Sequence, residues 1–440
     1  MGKYKPYPAY KDSGVEWLGD VPERWKIFPA FRLFRERRVQ NNKGEETNVL
    51  SLSYGSIVRR NIEDNFGLLP ESFNTYQIVG LWNIILRLTD LQNDKRSLRV
   101  GQVKEKGIIT SAYLCLEAAS EIYHSYAYKL LHSYDLVKVF YSMGGGLRQS
   151  MKFADLRRMP ILCPPFEEQA QIAAFLDHET AKIDRLIEKQ EKLIELLKEK
   201  RQAVISHAVT KGLDPDVEMK DSGVEWLGEI PAHWEVKRLK QISSSMKAGP
   251  FGSSLIKDNY TKTGIKVYGQ EQVIADDFSI GDYYISNEKF LEMTQYAVFT
   301  GDILISCVGS FGKIAIVPDN AERGITNPRL IKITLVNSII PVFFKRLLRS
   351  KVTFEQMSLM SRGGTMDVIN IGILSELILP IPSKAEQIEI NNFLNIETTR
   401  IDKTVRLAQK QITLLKERRT ALISAAVTGK IDVRDWKAEG

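Results

Sequence analysis

Two stretches of the chain, 167–210 and 385–428, contain neither glycine nor proline. Their apolar residues recur at spacings of four and three. In the first, Leu176, Ile183, Ile187, Ile194, Leu197 and Val204 form a stripe, interrupted by Thr180, Gln190 and Arg201. In the second, Leu394, Ile401, Val405, Ile412, Leu415 and Leu422 do the same, interrupted by Thr398 and Arg419. This is a heptad seam, and it predicts two long helices. Pro164-Pro165 blocks extension of the first helix backward, and Gly212 and Gly429 are natural stops. At 1.5 Å per residue, each helix would run roughly 65 Å. A helix of this kind exposes its seam unless it is paired, and the simplest partner is the other copy. Antiparallel pairing is expected, with an internal pseudo-twofold axis and one insert at each end of a rod. Further apolar positions (Ile172, Phe175, Leu186, Leu193, Phe393, Leu407) widen the stripe and would leave a face for helices of another protein.

The remaining pattern is shorter. Segments such as Gly301–Val308 and Lys313–Val317 alternate or run apolar and read as strands. Comparing the chain with itself explains the layout. Lys11–Trp25 (KDSGVEWLGDVPERW) returns as Lys220–Trp234 (KDSGVEWLGEIPAHW), and eleven of the fifteen positions are identical. From Gly145 to Asp214 the chain matches itself again 218 residues on, without a gap, at 27 of 70 positions. Glu168-Gln169 thereby meets Glu386-Gln387. The stretches between do not align. The expected organisation is a conserved arm (1–25), a first insert domain (26–160), a central conserved region with a long helix (161–234, helix about 167–210), a second insert domain (235–380) and a C-terminal conserved region with a long helix (381–440, helix about 385–428). The fold class is α+β: two globular mixed α/β domains joined by two long antiparallel coiled-coil helices. Matched frames around unlike inserts suit a protein that reads two different things with one geometry.

Composition adds direction. With 43% apolar and 26% charged residues, the 440-residue chain has the make-up of a soluble globular protein. No apolar run approaches the ~18 residues that span a bilayer. The first ten residues lack the apolar core of a signal peptide, and Pro6 stands where a myristoylation signal wants Ser or Thr, so a cytoplasmic protein without membrane contact is expected. Cys115, Cys163 and Cys307 are far apart, and the five histidines are scattered, so small buried thiols and no metal site are expected. The net charge of +7 divides unevenly: residues 26–160 carry +7, residues 235–380 carry +3 and the rest −3. Basic inserts on a slightly acidic frame point to a polyanion met at two places.

Loops in the inserts carry the matching chemistry. Glycines let a backbone approach phosphate, Lys and Ser contact its oxygens, and Arg, Gln and Ser reach base edges. In the first insert the candidates are Tyr54, Arg59, Arg60, Arg96, Arg99, Arg148, Gln149 and Lys152. In the second they are Lys247, Phe251, Ser253, Ser254, Lys257, Gln270, Gln272, Ser310, Lys313 and Arg329. Enzyme motifs fare poorly. Asn327-Pro328 continues as Arg329-Leu330, which breaks an amino-methyltransferase motif, and no P-loop occurs. Pro215-Asp216 with Glu235-Val236-Lys237 matches a nuclease string, but the first copy of the frame has Lys26-Ile27-Phe28 at the corresponding place.

The combination of KDSGVEWLG, GPFGSSL, GDILIS-x-VGS-x-GK, TDLQNDK-x-SLR and the repeated P-x-x-x-EQ helices resembles the specificity subunit of type I restriction–modification systems, over essentially the whole chain. That resemblance implies a non-catalytic chain whose inserts are target recognition domains. Each would read one half of a bipartite, asymmetric sequence in double-stranded DNA, with the helices setting the gap. It implies no cofactor in this chain. The partners would be two modification subunits that methylate adenine with S-adenosylmethionine, and two restriction subunits that use ATP and magnesium.

Overall fold

The computed structural model describes residues 4–61, 72–89, 91, 97–143, 150–307, 313–361 and 370–438. The chain forms two compact units. Unit 1 comprises Met1–Glu191 with Gln409–Gly440, and unit 2 comprises Lys192–Ala408. The long helices span Phe166–Lys211 and Lys384–Val427, so each unit takes part of both.

Within each unit the two helix portions run antiparallel. In unit 1, Arg419 meets Asp184 at 2.9 Å, while Gln171 reaches the carbonyls of Val433 and Trp436. In unit 2, Arg201 meets Asp402 at 3.1 Å. The two ion pairs are repeat equivalents, since Asp184 matches Asp402 and Arg201 matches Arg419 in the self-comparison. Along both helices the seam is the covered stripe. Leu176, Ile183, Leu394 and Ile401 are buried, and Ile187, Ile194, Leu197, Val204, Val405, Ile412, Leu415 and Leu422 are half-buried. The widened stripe behaves differently from expectation at its start. Ile172 and Phe175 are fully buried in the core of unit 1 and offer no face to another protein, whereas Leu186, Leu193, Phe393 and Leu407 are exposed.

The inserts share no readable sequence, yet they share a strand order. In unit 1 the main sheet runs Phe34–Glu36, Leu114–Ala118, Ile84–Leu86, Val100–Gln102, with every neighbour antiparallel. In unit 2 it runs Ser243–Ala248, Leu330–Leu335, Ile303–Ser306, Ile314–Ile316, again antiparallel. In both sheets, the strand that comes first in sequence lies beside the one that comes last. Ile84–Leu86 and Ile303–Ser306 are buried along their length, which is why they read as apolar runs such as Ile84-Ile85-Leu86. A second layer also corresponds. Gly324–Thr326 pairs parallel with Ile265–Tyr268 and antiparallel with Ala297–Val298. Gly107–Ile109 pairs antiparallel with Gln77–Val79 and meets Val49 in a parallel bridge.

Each insert is zipped at its ends. Lys26–Pro29 pairs with Pro160–Cys163, and Glu235–Arg238 pairs with Ile378–Ile381. The repeated arms form hairpins, Tyr10–Asp12 with Asp20–Pro22 and Met219–Asp221 with Glu229–Pro231. Their turns need glycine: Gly14 and Gly223 sit at φ 68 and 73, with their amides donating to Asp12 and Asp221.

The repeated Glu-Gln pair ties these parts together. Trp25 Nε1 donates to Glu168 Oε1 at 2.9 Å, and Trp234 Nε1 donates to Glu386 Oε1 at 3.0 Å. Burial alone would raise the Glu386 carboxyl, but donors from His233, Trp234 and Ser383 carry it below the usual range. Gln169 accepts from the Tyr123 amide at 2.7 Å, and Gln387 accepts from the Ile340 amide at 2.8 Å. Those amides open the helices His124–Leu136 and Pro341–Leu348. Glutamate thus holds the arm and glutamine holds the insert, and the same side chains do so in both units.

Arms, inserts and helices share one core per unit. Trp25 packs with Phe175, Leu176, Tyr126 and Val427, and Trp234 packs with Val209, Leu394, Phe343 and Leu379. In unit 1 this core comes near a buried ring. His132 is 8% exposed, and its Nδ1 has no hydrogen-bond partner among the described residues. Burial, then the charges of Arg419 and Lys129, push it down to about 4 from an ordinary 6.5. Between those values the unfolded chain holds more protons than the folded one, so stability falls as the pH falls. The loss should total about 3 kcal/mol by pH 4. Urea unfolding of unit 1 at stepped pH should show this slope, and His132→Leu should flatten it. An unchanged slope in the variant would assign the acid sensitivity elsewhere.

Candidate nucleic-acid interface

In unit 2 the loop that leaves Ser243–Ala248 meets the turn that precedes Leu330–Leu335. The two backbones touch. A Cβ on Gly249 would lie 1.8 Å from the Asn327 carbonyl oxygen, so only glycine fits there. Asn327 Oδ1 accepts from the Arg329 amide at 2.9 Å and sets the turn. Beside it, Gln270 opens a short helix, Gln270–Ala275, and donates to Ser306 Oγ at 2.7 Å. Arg329 donates to Gln270 Oε1 at 3.4 Å. Gln270, Asn327 and Arg329 line an open pocket of about 370 Å³ with Lys257, Tyr260, Glu271 and Tyr283. The two tyrosine rings meet edge-on, 5.1 Å apart. Lys257, Tyr283 and Arg329 are exposed. The pocket therefore offers two cations, two amides and aromatic faces around a single acid, which is the equipment for phosphate contact, base-edge readout and stacking.

Unit 1 has a pocket at the same place in its sheet, where the first strand leaves and the last begins. It measures about 260 Å³ and is lined by Glu36, Arg37, Arg38, Gln40, Gln77, Tyr113 and Lys152, among others. Arg38 is held by Glu36 at 2.6 Å and stays largely exposed. Gln77 donates to the Tyr113 carbonyl at 2.6 Å and fixes the turn. Of these residues the sequence reading named only Lys152. Arg37, Arg38 and Gln40 lie in the run RERRVQ directly after the first strand, and that cationic run was the available signal.

The other candidates divide. Gln270, Lys257 and Arg329 come together in the unit 2 pocket. Lys247, Phe251, Ser254 and Lys313 are exposed in the same domain, Phe251 by 68%. Tyr54 caps the hairpin between Leu50–Ser53 and Ser56–Arg59 and is 81% exposed. Arg59 is exposed and paired with Glu105, and Arg60 is half-buried. Arg96, Arg148, Gln149 and Ser310 lie outside the described residues, as does the side chain of Ser253.

Two expectations are corrected by burial. Arg99 is 0% exposed; its guanidinium donates to Tyr141 Oη and to the carbonyls of Arg87 and Thr89, and its amide donates to Asp135. Gln272 is also 0% exposed, accepting from the Gly269 amide and donating to the Ile280 carbonyl. Both are internal ties and neither faces a ligand. The thiols are equally structural. Cys115, Cys163 and Cys307 are unpaired, and burial pushes Cys115 up to about 12 and Cys307 up to about 11, which keeps both protonated at neutral pH. Among the described residues no acidic, His or Cys cluster is arranged to hold a metal, and no helix is long and apolar enough to cross a membrane.

A duplicated frame thus carries two mixed α/β domains, each with a cationic pocket beside the start of the last strand of its main sheet. Residues 231–417 match the family model of the type I restriction modification DNA specificity domain. The MjaVIII type I restriction enzyme specificity subunit of Methanocaldococcus jannaschii is 26% identical over 347 residues, covering 75% of this chain and 76% of that protein. The EcoBI specificity subunit of Escherichia coli is 25% identical over 281 residues, covering 63% of this chain and 59% of that protein. Among solved structures, a chain from work on complex assembly and conformational transition of the type I R-M system has a TM-score of 0.67 at 14% identity, covering 92% of this chain and 98% of that one. The HsdS subunit from Thermoanaerobacter tengcongensis has a TM-score of 0.56 at 14% identity, covering 93% and 98%. These two establish the likeness of fold. The chain is thereby similar to the specificity subunits of type I restriction–modification systems.

Proposed function

We propose that this chain is the DNA-reading subunit of a type I restriction–modification complex, each insert domain reading one half of a split target in double-stranded DNA. The observation that carries the reading is the pair of cationic pockets at one topological position in two domains of unlike sequence. A shared strand order with divergent loops keeps the geometry of reading while changing what is read. The long helices set the number of unread base pairs between the halves. Exposed Leu186, Leu193, Leu196, Leu407 and Leu414 on those helices support docking of two modification subunits, which bring S-adenosylmethionine and methylate adenine. Two restriction subunits supply ATP- and magnesium-dependent translocation and cleavage. The chain itself holds no cofactor and works in the cytoplasm. Selection of bound duplexes from a randomised pool tests the reading: enrichment of two separated, specified stretches is expected, and the absence of any enriched sequence would end it.

A further inference from the structure

Unit 2 contains a second cationic pocket, which shares no lining residue with the pocket at Gln270 and Arg329. It encloses about 300 Å³ between the helix Pro341–Leu348 and the long helices, and it is lined by Arg201, Lys345, Arg346 and Arg349 over an apolar floor of Ile205 and Ile316. Two of the four cations have carboxylate partners, Arg201 with Asp402 and Lys345 with Asp276. The other two have none among the described residues. Arg346 donates to Asn391 and, at 2.7 Å, to Asn395 Oδ1, and Arg349 donates to the Ile314 carbonyl at 2.8 Å.

The duplication supplies the comparison. Counted from the helix starts held by Gln169 and Gln387, Lys129 stands where Arg346 stands, and His132 where Arg349 stands. In the long helices, Asp177 matches Asn395. In unit 1, Lys129 is neutralised by Asp177 at 2.5 Å. Unit 2 has Asn395 in place of that carboxylate and a guanidinium, Arg349, in place of the His132 ring, so the same place in the fold has an uncompensated positive charge among the described residues. Burial and then the charge of Arg201 disfavour the charged Arg346, a cost that a bound anion would remove. Two guanidinium groups lining one pocket match a phosphate group in charge and in hydrogen-bonding type.

We propose that this pocket is a phosphate-binding site, specific to unit 2, where Asn395 stands in the place that Asp177 takes in unit 1. The phosphate comes from a DNA backbone or from a free phosphoanion, and one experiment separates these. The full chain, wild type and with Asn395→Asp or Arg346→Gln, is titrated calorimetrically with inorganic pyrophosphate and with duplex DNA. Asn395→Asp restores the carboxylate that unit 1 already carries, so the fold is retained. A free phosphoanion site requires saturable pyrophosphate binding that weakens at least tenfold in both variants, with duplex affinity unchanged. A DNA-backbone site requires both variants to weaken duplex binding and flatten its dependence on salt by about one ion. The proposal is overturned if the variants bind both probes as the wild type does, or if the wild type binds neither.

Discussion

Replacing Trp234 with alanine is expected to destabilise unit 2 by roughly 3–5 kcal/mol, the cost of a large cavity in a packed core. The indole is 1% exposed and lies where the arm, the long helices and the insert share one core. Its Nε1 also holds Glu386, so the change removes a buried donor along with the volume. Hydrogen exchange of core amides in Ile303–Ser306 and Leu330–Leu335 would report the loss locally. Trp25→Ala is the matched control, since Trp25 is 0% exposed and holds Glu168 in unit 1. A cost below about 1 kcal/mol at either position would mean that the arm is a surface strap and not a part of the core.

Arg329→Ala should weaken binding of the cognate duplex by about 1–3 kcal/mol, roughly 5- to 150-fold, and relax the sequence at one or two positions in one half of the target. Arg329 is exposed at the mouth of the unit 2 pocket, and its guanidinium lies beside Gln270, itself an amide able to meet a base edge. The other half of the target is read by unit 1 in this account and should keep its sequence. Uniform weakening at every position, with the sequence preference retained, would make Arg329 a phosphate contact.

The duplication and the helices were legible because they depend on local signals. A heptad stripe free of glycine and proline, and two copies of KDSGVEWLG, need no knowledge of distant contacts. The common strand order of the inserts was not legible, because strands of three to six residues tolerate almost any apolar side chain and their pairing lies in the backbone. Arg99 shows the same limit at the level of a site. Its surrounding run NDKRSLR looks like surface, yet Tyr141 and the carbonyls of Arg87 and Thr89 draw the guanidinium inside. Gln272 was misread because a glutamine two residues into a helix can cap the backbone as readily as it can face a ligand. Arg37, Arg38 and Gln40 were passed over because only the fold shows that they leave the same end of the sheet as the unit 2 loops.

The central claim is that two like-built domains read two unlike half-sites. Its most direct test is the sequence recovered when the full chain, assembled with the modification subunit proposed as its partner, selects duplexes from a randomised pool. Two specified stretches separated by an unread gap of constant length are expected. One uninterrupted motif would contradict it.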